Sequence, residues 1–136
     1  MSVDFFARHE ELLNKAVTAA ADRGYWSPFT EMPSPRAYGE TANDDGRAAF
    51  EAQRNKPFAI EGMSNAVMGG SEISPLDGAL GITYPKLTVD QIVQVASNAW
   101  QDWRRAGPRA WVGVSLEILS RLNRASFEIA YAIHST

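Results

Sequence analysis

The chain of 136 residues contains no cysteine. That excludes disulfides, a thiolate nucleophile and any thiolate metal site within it. It also lacks an excess of positive charge. Lys and Arg number 13 against 16 Asp and Glu, for a formal net charge of −3. Nucleic-acid binding calls for a basic balance that is absent here. No apolar run approaches the length of a membrane span. The first dozen residues are too acidic and polar for a signal peptide. Internal repeats and low-complexity tracts are missing as well. These absences point to a cytoplasmic protein with no nucleic-acid and no membrane partner.

The rest of the composition is that of a globular protein, with 45% hydrophobic and 21% charged residues. A chain of this length suits one domain with a modest core. The expected class is α+β, mostly helical, with a β-hairpin followed by a long two-helix hairpin.

That helical pair spans residues 88–134 and dominates the pattern. Thr88-Val89-Asp90-Gln91 fits a capping box, in which Thr88 and Gln91 satisfy each other's backbone N–H groups. Ile92, Ala96, Ala99, Trp100 and Trp103 then recur at helical spacing. Arg104 and Arg105 suit the negative end of the helix dipole. Gly107 can take a left-handed conformation, and Pro108 suits a first turn. A second helix is expected from about Pro108 to His134. Its stripe runs through Val112, Leu116, Leu119, Leu122, Phe127, Ala130 and Ile133. Val114, Ile118, Ala125 and Ile129 widen it. A stripe so wide suggests cover on more than one side. Unbroken, the helix would be roughly 40 Å long. His134-Ser135-Thr136 carries no Gly cap, so an apolar helix cut off near its end is the expectation.

The remaining segments are shorter. Residues 1–24 form a helix capped by Ser2 and ended by Gly24, with Phe5, His9, Leu12, Leu13, Ala16, Val17 and Ala20 on one face. Residues 25–40 hold three prolines (Pro28, Pro33, Pro35) and four aromatics (Tyr25, Trp26, Phe29, Tyr38). Proline opposes regular structure and the aromatics oppose a solvated linker, so an extended arm on a surface is expected. Residues 41–61 give a short helix with Asn43, Asp44 and Asp45 at its start. Pro57 ends it, and Phe58-Ala59-Ile60 follows as a strand. Residues 67–84 form a hairpin turning at Ser74-Pro75-Leu76-Asp77-Gly78. Leu80, Ile82 and Tyr84 share one face of its second strand, and Pro85 ends it.

Each group with chemical potential has a blander reading that suits the pattern better. His9 lies on an apolar face with no second His or acid at ligand spacing, which favours a packed histidine over a ligand. His134 stands at a frayed end. Gly69, Gly70, Gly78 and Gly81 lack the spacing of a dinucleotide or phosphate loop and read as turn and bulge glycines. Asp44 and Asp45, with Glu40, form an acid cluster at a helix start rather than a metal site. Trp100, Trp103 and Trp111 read as packing across the helical hairpin. Ser115, Ser120 and Ser126 have no His or Asp at a credible position. No catalytic, cofactor-binding or metal-binding residue is expected.

Three stretches carry a family resemblance. They are RGYWSPFTEMPSPRAYGE (Arg23 to Glu40), GGSEISPLDGALGITYP (Gly69 to Pro85) and GVSLEILSRLNRASFEIAYAI (Gly113 to Ile133). Together they resemble, in order and over essentially the whole chain, the N-terminal part of the phenylacetic acid degradation protein PaaN family. The first stretch is the most specific. These are proteins of the aldehyde dehydrogenase superfamily. The resemblance implies NAD(P)-dependent oxidation of an aldehyde in aerobic aromatic catabolism. It implies a fold with a Rossmann-type cofactor domain, a catalytic domain and an oligomerisation arm. It further implies a cysteine thiolate that attacks the aldehyde, hydride transfer to nicotinamide, and a glutamate base for thioester hydrolysis.

Family members are several times longer than this chain, and no catalytic position carries over onto it. The sequence is thus expected to be a single partial domain, an N-terminal fragment without activity of its own. Its partner would be the remainder of the enzyme fold or a homo-oligomer. NAD or NADP would belong to the full-length protein. A stand-alone helical interaction module is the alternative. An independent acid/base enzyme has only the presence of acids behind it.

Overall fold

A computed structural model describes residues 4–63 and 65–136. The fold is mixed α and β, mostly helical, with two small antiparallel sheets. The chain divides into two compact units. One takes the chain up to Gly39 together with Ala99–Arg124. The other takes Glu40–Asn98 together with Ala125–Thr136.

In the first unit, helix α1 spans Phe5–Ala21. Ser2, the expected cap, lies outside the described residues. Asp4 caps the helix, its carboxylate accepting from the Ala7 N–H at 3.1 Å. The end of α1 also differs from expectation. Arg23, not Gly24, takes the left-handed conformation, with φ 53°. The Gly24 N–H reaches back to the Ala19 carbonyl at 2.8 Å, closing the last turn. The expected extended arm contains a short helix, α2, at Pro35–Tyr38. Pro35 stands in its first turn, where a missing N–H costs nothing. The Tyr38 hydroxyl ties this stretch to Asn123 at 3.1 Å.

In the second unit, α3 spans Ala42–Glu51, with Asp44 and Asp45 in its first turn. It stops six residues before Pro57. Left-handed Asn55 (φ 57°) and its N–H bond to the Leu80 carbonyl turn the chain there. Phe58-Ala59-Ile60 is not a strand. Only an isolated bridge between Pro57 and Thr83 forms, with the Phe58 N–H on the Thr83 carbonyl at 2.7 Å.

The hairpin is interrupted rather than continuous. An outer pair joins β1 (Val67–Gly69) to β4 (Tyr84–Lys86), and an inner pair joins β2 (Ile73–Ser74) to β3 (Gly78–Ala79). Pro85 sits inside β4 opposite Met68 instead of ending the strand. Both strands of this pair are edges, so a residue without an N–H is tolerated. The inner turn falls where the sequence places it. Ser74 Oγ accepts from the N–H groups of Leu76 and Asp77, and Gly78 takes φ 72°. Leu80 and Ile82 leave the strand pattern yet keep their shared face. With Phe50 they form the buried core of this unit, flanked by Tyr84, Tyr131 and Ala132.

Helix α4 spans Val89–Arg124 with one non-helical residue, Gly107, at φ 77°. The capping box forms as the sequence prescribes. The Gln91 N–H donates to Thr88 Oγ1 at 3.3 Å, and the Thr88 N–H donates to Gln91 Oε1 at 2.8 Å. The second helix of the pair is broken, however. Ala125 leaves helical geometry (φ −92°, ψ 8°), and α5 restarts at Ser126–His134. Asn123 and Ser126, on either side of the break, are weaker helix formers whose side chains compete for backbone hydrogen bonds. α5 packs on α3, where Gly46 leaves no room for a Cβ against Phe127. Its end is fastened and not frayed: Ser135 is buried and donates to Asp77 Oδ2 at 2.7 Å.

Candidate functional site

The one buried charged group among the described residues with a dense set of partners is Glu117, and a close helix crossing sets its position. Gly113 of α4 stands against the backbone of Phe5 and Phe6 of α1. A Cβ there would lie 2.9 Å from the Phe5 carbonyl carbon and closer still to the Phe6 nitrogen. Residues four apart share a helix face. One turn beyond Gly113 is Glu117, and one turn beyond Phe5 is His9. The crossing therefore brings the next turn of each helix together. His9 Nε2 lies 2.8 Å from Glu117 Oε2.

Three arginines complete the cluster. Arg8 Nη1 donates to Glu117 Oε2 at 3.3 Å, and Arg121 Nε donates to Oε1 at 2.8 Å. Arg124 Nη2 stands 3.8 Å from Oε1. The Glu117 side chain is only 6% exposed. Burial alone would raise its pKa. The hydrogen bond from Arg121, followed by those from His9 and Arg8, instead holds it down, from 4.5 to about 2. A carboxylate so acidic is a poor proton acceptor near neutral pH, where a general base needs a matched pKa. The cluster clamps α1 to α4. A second ion pair at the same crossing joins Arg109 to Asp4 at 3.3 Å. The Asp4 carboxyl lies below its ordinary value because of the Ala7 N–H first and Arg109 second.

The histidine reading changes accordingly. His9 is buried and structural, as its apolar face suggests, but it does have an acid partner. The partner comes from 108 positions away rather than from its own helix. The Glu117–Arg121 spacing was a visible i,i+4 pair; nothing local pointed to His9.

The other candidates fall apart chemically. His134 lines a hollow of about 290 Å³ with Asn43, Phe127, Ala130 and Tyr131. Thr41 Oγ1 donates to Asp45 at 2.8 Å, and the described residues contain no group of three or more His, Asp or Glu placed to hold a metal ion. Ser120 accepts from Arg124 Nη1 at 2.8 Å, while Ser115 and Ser126 stand apart from both histidines in sequence and have no hydrogen bond to either among the described residues. Gly69, Gly70, Gly78 and Gly81 lie in the strands and turns of the interrupted hairpin and open no helix. They do not supply the loop a dinucleotide needs. An open groove of about 940 Å³ along α1, edged by Glu10, Glu11, Asn14, Lys15, Tyr25 and Trp26, escaped the sequence pattern.

The tryptophans pack without being buried. Trp103 and Trp111 stack across the Gly107 break at 6.1 Å and 29°, and Trp111 Nε1 donates to the Trp103 carbonyl at 2.7 Å. All three tryptophans remain exposed, Trp100 at 58%. Every residue from Thr88 to Ala106 is exposed. Apart from the contact of Trp103 with Trp111, the apolar stripe of the first arm of α4 stays exposed among the described residues.

No protein-family model matches the chain, and no curated protein does. A solved structure does: the NAD-dependent aldehyde dehydrogenase from Burkholderia multivorans. The match covers 100% of this chain at 51% sequence identity, with a TM-score of 0.83. The fold is that of an aldehyde dehydrogenase segment. The chain spans 24% of the length of that enzyme. The superfamily expected from the three quoted stretches is thereby supported. No described helix is long and apolar enough to cross a membrane.

Proposed function

We propose that these 136 residues are the N-terminal segment of an NAD(P)-dependent aldehyde dehydrogenase of the PaaN type, acting in the cytoplasm in phenylacetic acid catabolism. The observation that carries the aldehyde dehydrogenase part is 51% identity to an NAD-dependent aldehyde dehydrogenase over the whole chain, and the PaaN part rests on the three quoted stretches. The segment contributes scaffold. With no cysteine, it cannot supply a thiolate to attack an aldehyde. The nucleophile, the glutamate base and the nicotinamide site belong to residues outside it. Its partner is the remainder of that fold, laid on the exposed arm of α4.

Two experiments test this. The purified chain, mixed with NAD or NADP and an aldehyde, is expected to form no reduced cofactor. Reduction by the chain alone would overturn the scaffold reading. Deleting the gene is expected to abolish growth on phenylacetate and spare growth on succinate. Unchanged growth on phenylacetate would remove the PaaN assignment and leave the superfamily intact.

A stand-alone interaction module is the second reading, favoured by the same exposed apolar arm. A monodisperse, cooperatively unfolding monomer would support it. Aggregation and dye binding would support the segment reading.

A further inference from the structure

Glu117 is outnumbered. The guanidinium ions of Arg8, Arg121 and Arg124 surround one carboxylate, so two positive charges are left over in a chain whose net charge is −3. Their side chains are 50%, 65% and 62% exposed, in contrast to the 6% of Glu117. Many of their donors are unspent. Arg121 binds Glu117 through Nε, and its two terminal nitrogens make no hydrogen bond among the described residues. Arg8 uses Nη1 alone and rests its guanidinium over the Phe5 ring at 5.2 Å. No other acid among the described residues lies within ion-pair distance of any of the three.

We propose that Arg8, Arg121 and Arg124 form a binding site for a second anion, a phosphate-class oxyanion, with Glu117 as the buried anchor of Arg8 and Arg121 and Ser120 Oγ holding Arg124. The planar guanidinium presents donors in the geometry that phosphate oxygens accept in pairs. Glu117 offsets one of the three positive charges and holds Arg8 and Arg121 by hydrogen bonds, leaving two charges to face solvent. The surrounding sequence agrees in sign: residues 104–124 hold five arginines and a single acid, Glu117. This site does not depend on the aldehyde dehydrogenase reading.

The test uses the intact chain and inorganic phosphate, with chloride at equal ionic strength as the reference. Phosphate is expected to raise the melting temperature more than chloride. In the unmodified protein, the side-chain Nε–H NMR signals of Arg121 and Arg124 are expected to shift with saturation. Arg121→Gln and Arg124→Gln should each raise the half-saturating phosphate concentration about tenfold, the change for one charge-assisted hydrogen bond. Arg47→Gln, on α3, should leave it unchanged. Equal effects of phosphate and chloride, or shifts confined to other arginines, would overturn the proposal. The NMR readout needs no variant, so it decides the matter even where a variant fails to fold.

Discussion

His9 and Glu117 meet at 2.8 Å although 108 positions separate them, and both are buried. The contact joins α1 to α4, and the same carboxylate also binds Arg8 and Arg121. It makes the first unit sensitive to acid.

The sign follows from the direction of the shift. Glu117 has its pKa lowered from 4.5 to about 2. A carboxylate depressed in the folded state adds stability above its unfolded pKa, and that stability is lost as pH falls toward the folded value. Glu117→Gln is therefore expected to lower the melting temperature at pH 7. The gap to the unmodified protein should narrow between pH 4.5 and pH 2. Melting curves followed by circular dichroism over that range check it. A gap that is constant with pH would show that the charge is not what stabilises.

Gly113→Ala sets two effects against each other. Alanine is the better helix former by about 1 kcal/mol. The added Cβ, however, meets the backbone of Phe5 and Phe6, which cannot rotate aside. Overpacking of this kind costs about 1–3 kcal/mol, so net destabilisation is expected. Urea denaturation measures it. Glu117 should also lose its low pKa in this variant, because the crossing that delivers His9 and Arg8 is forced apart.

Leu80 is the most buried large side chain in the second unit, at 1% exposure. Leu80→Ala is expected to cost about 2–5 kcal/mol. Hydrogen exchange should show the loss first in the backbone bonds of Leu80 itself, to Glu72 and Asn55.

Thr88→Ala removes one half of the capping box. About 0.5–2 kcal/mol of local helix stability should be lost. Every residue of the arm from Thr88 to Ala106 is exposed, so little burial among the described residues offsets that loss. Faster amide exchange at Asp90 and Gln91, with little change at Glu117, is the expected pattern.

What the sequence disclosed was local. The capping box spans four residues, the Ser74–Gly78 turn spans five, and the Gly107 break needs only one residue with room for positive φ. Each is decided by neighbours along the chain. The shared face of Leu80, Ile82 and Tyr84 was also legible, since alternation survives even where strand pairing lapses. Other features depended on distant residues. The loss of strand at Phe58–Ile60 follows from what Thr83 and Leu80 offer as partners. The break at Ala125 accompanies the packing of α5 on α3 at Gly46. Arg23 takes the left-handed position although glycine follows it, because the Gly24 N–H is the donor needed at the Ala19 carbonyl. Glu117 was hidden most completely. A glutamate with an i,i+4 arginine looks like any solvated helix pair until α1 closes over it.

The most direct test of the central reading is a chimera. This chain replaces the matching 24% of the Burkholderia multivorans NAD-dependent aldehyde dehydrogenase. Formation of NADH with an aldehyde is then measured. A soluble chimera that reduces NAD is expected, since the segment would supply the same scaffold to an intact active site. A chimera that folds and oligomerises like the parent enzyme but forms no NADH would contradict it.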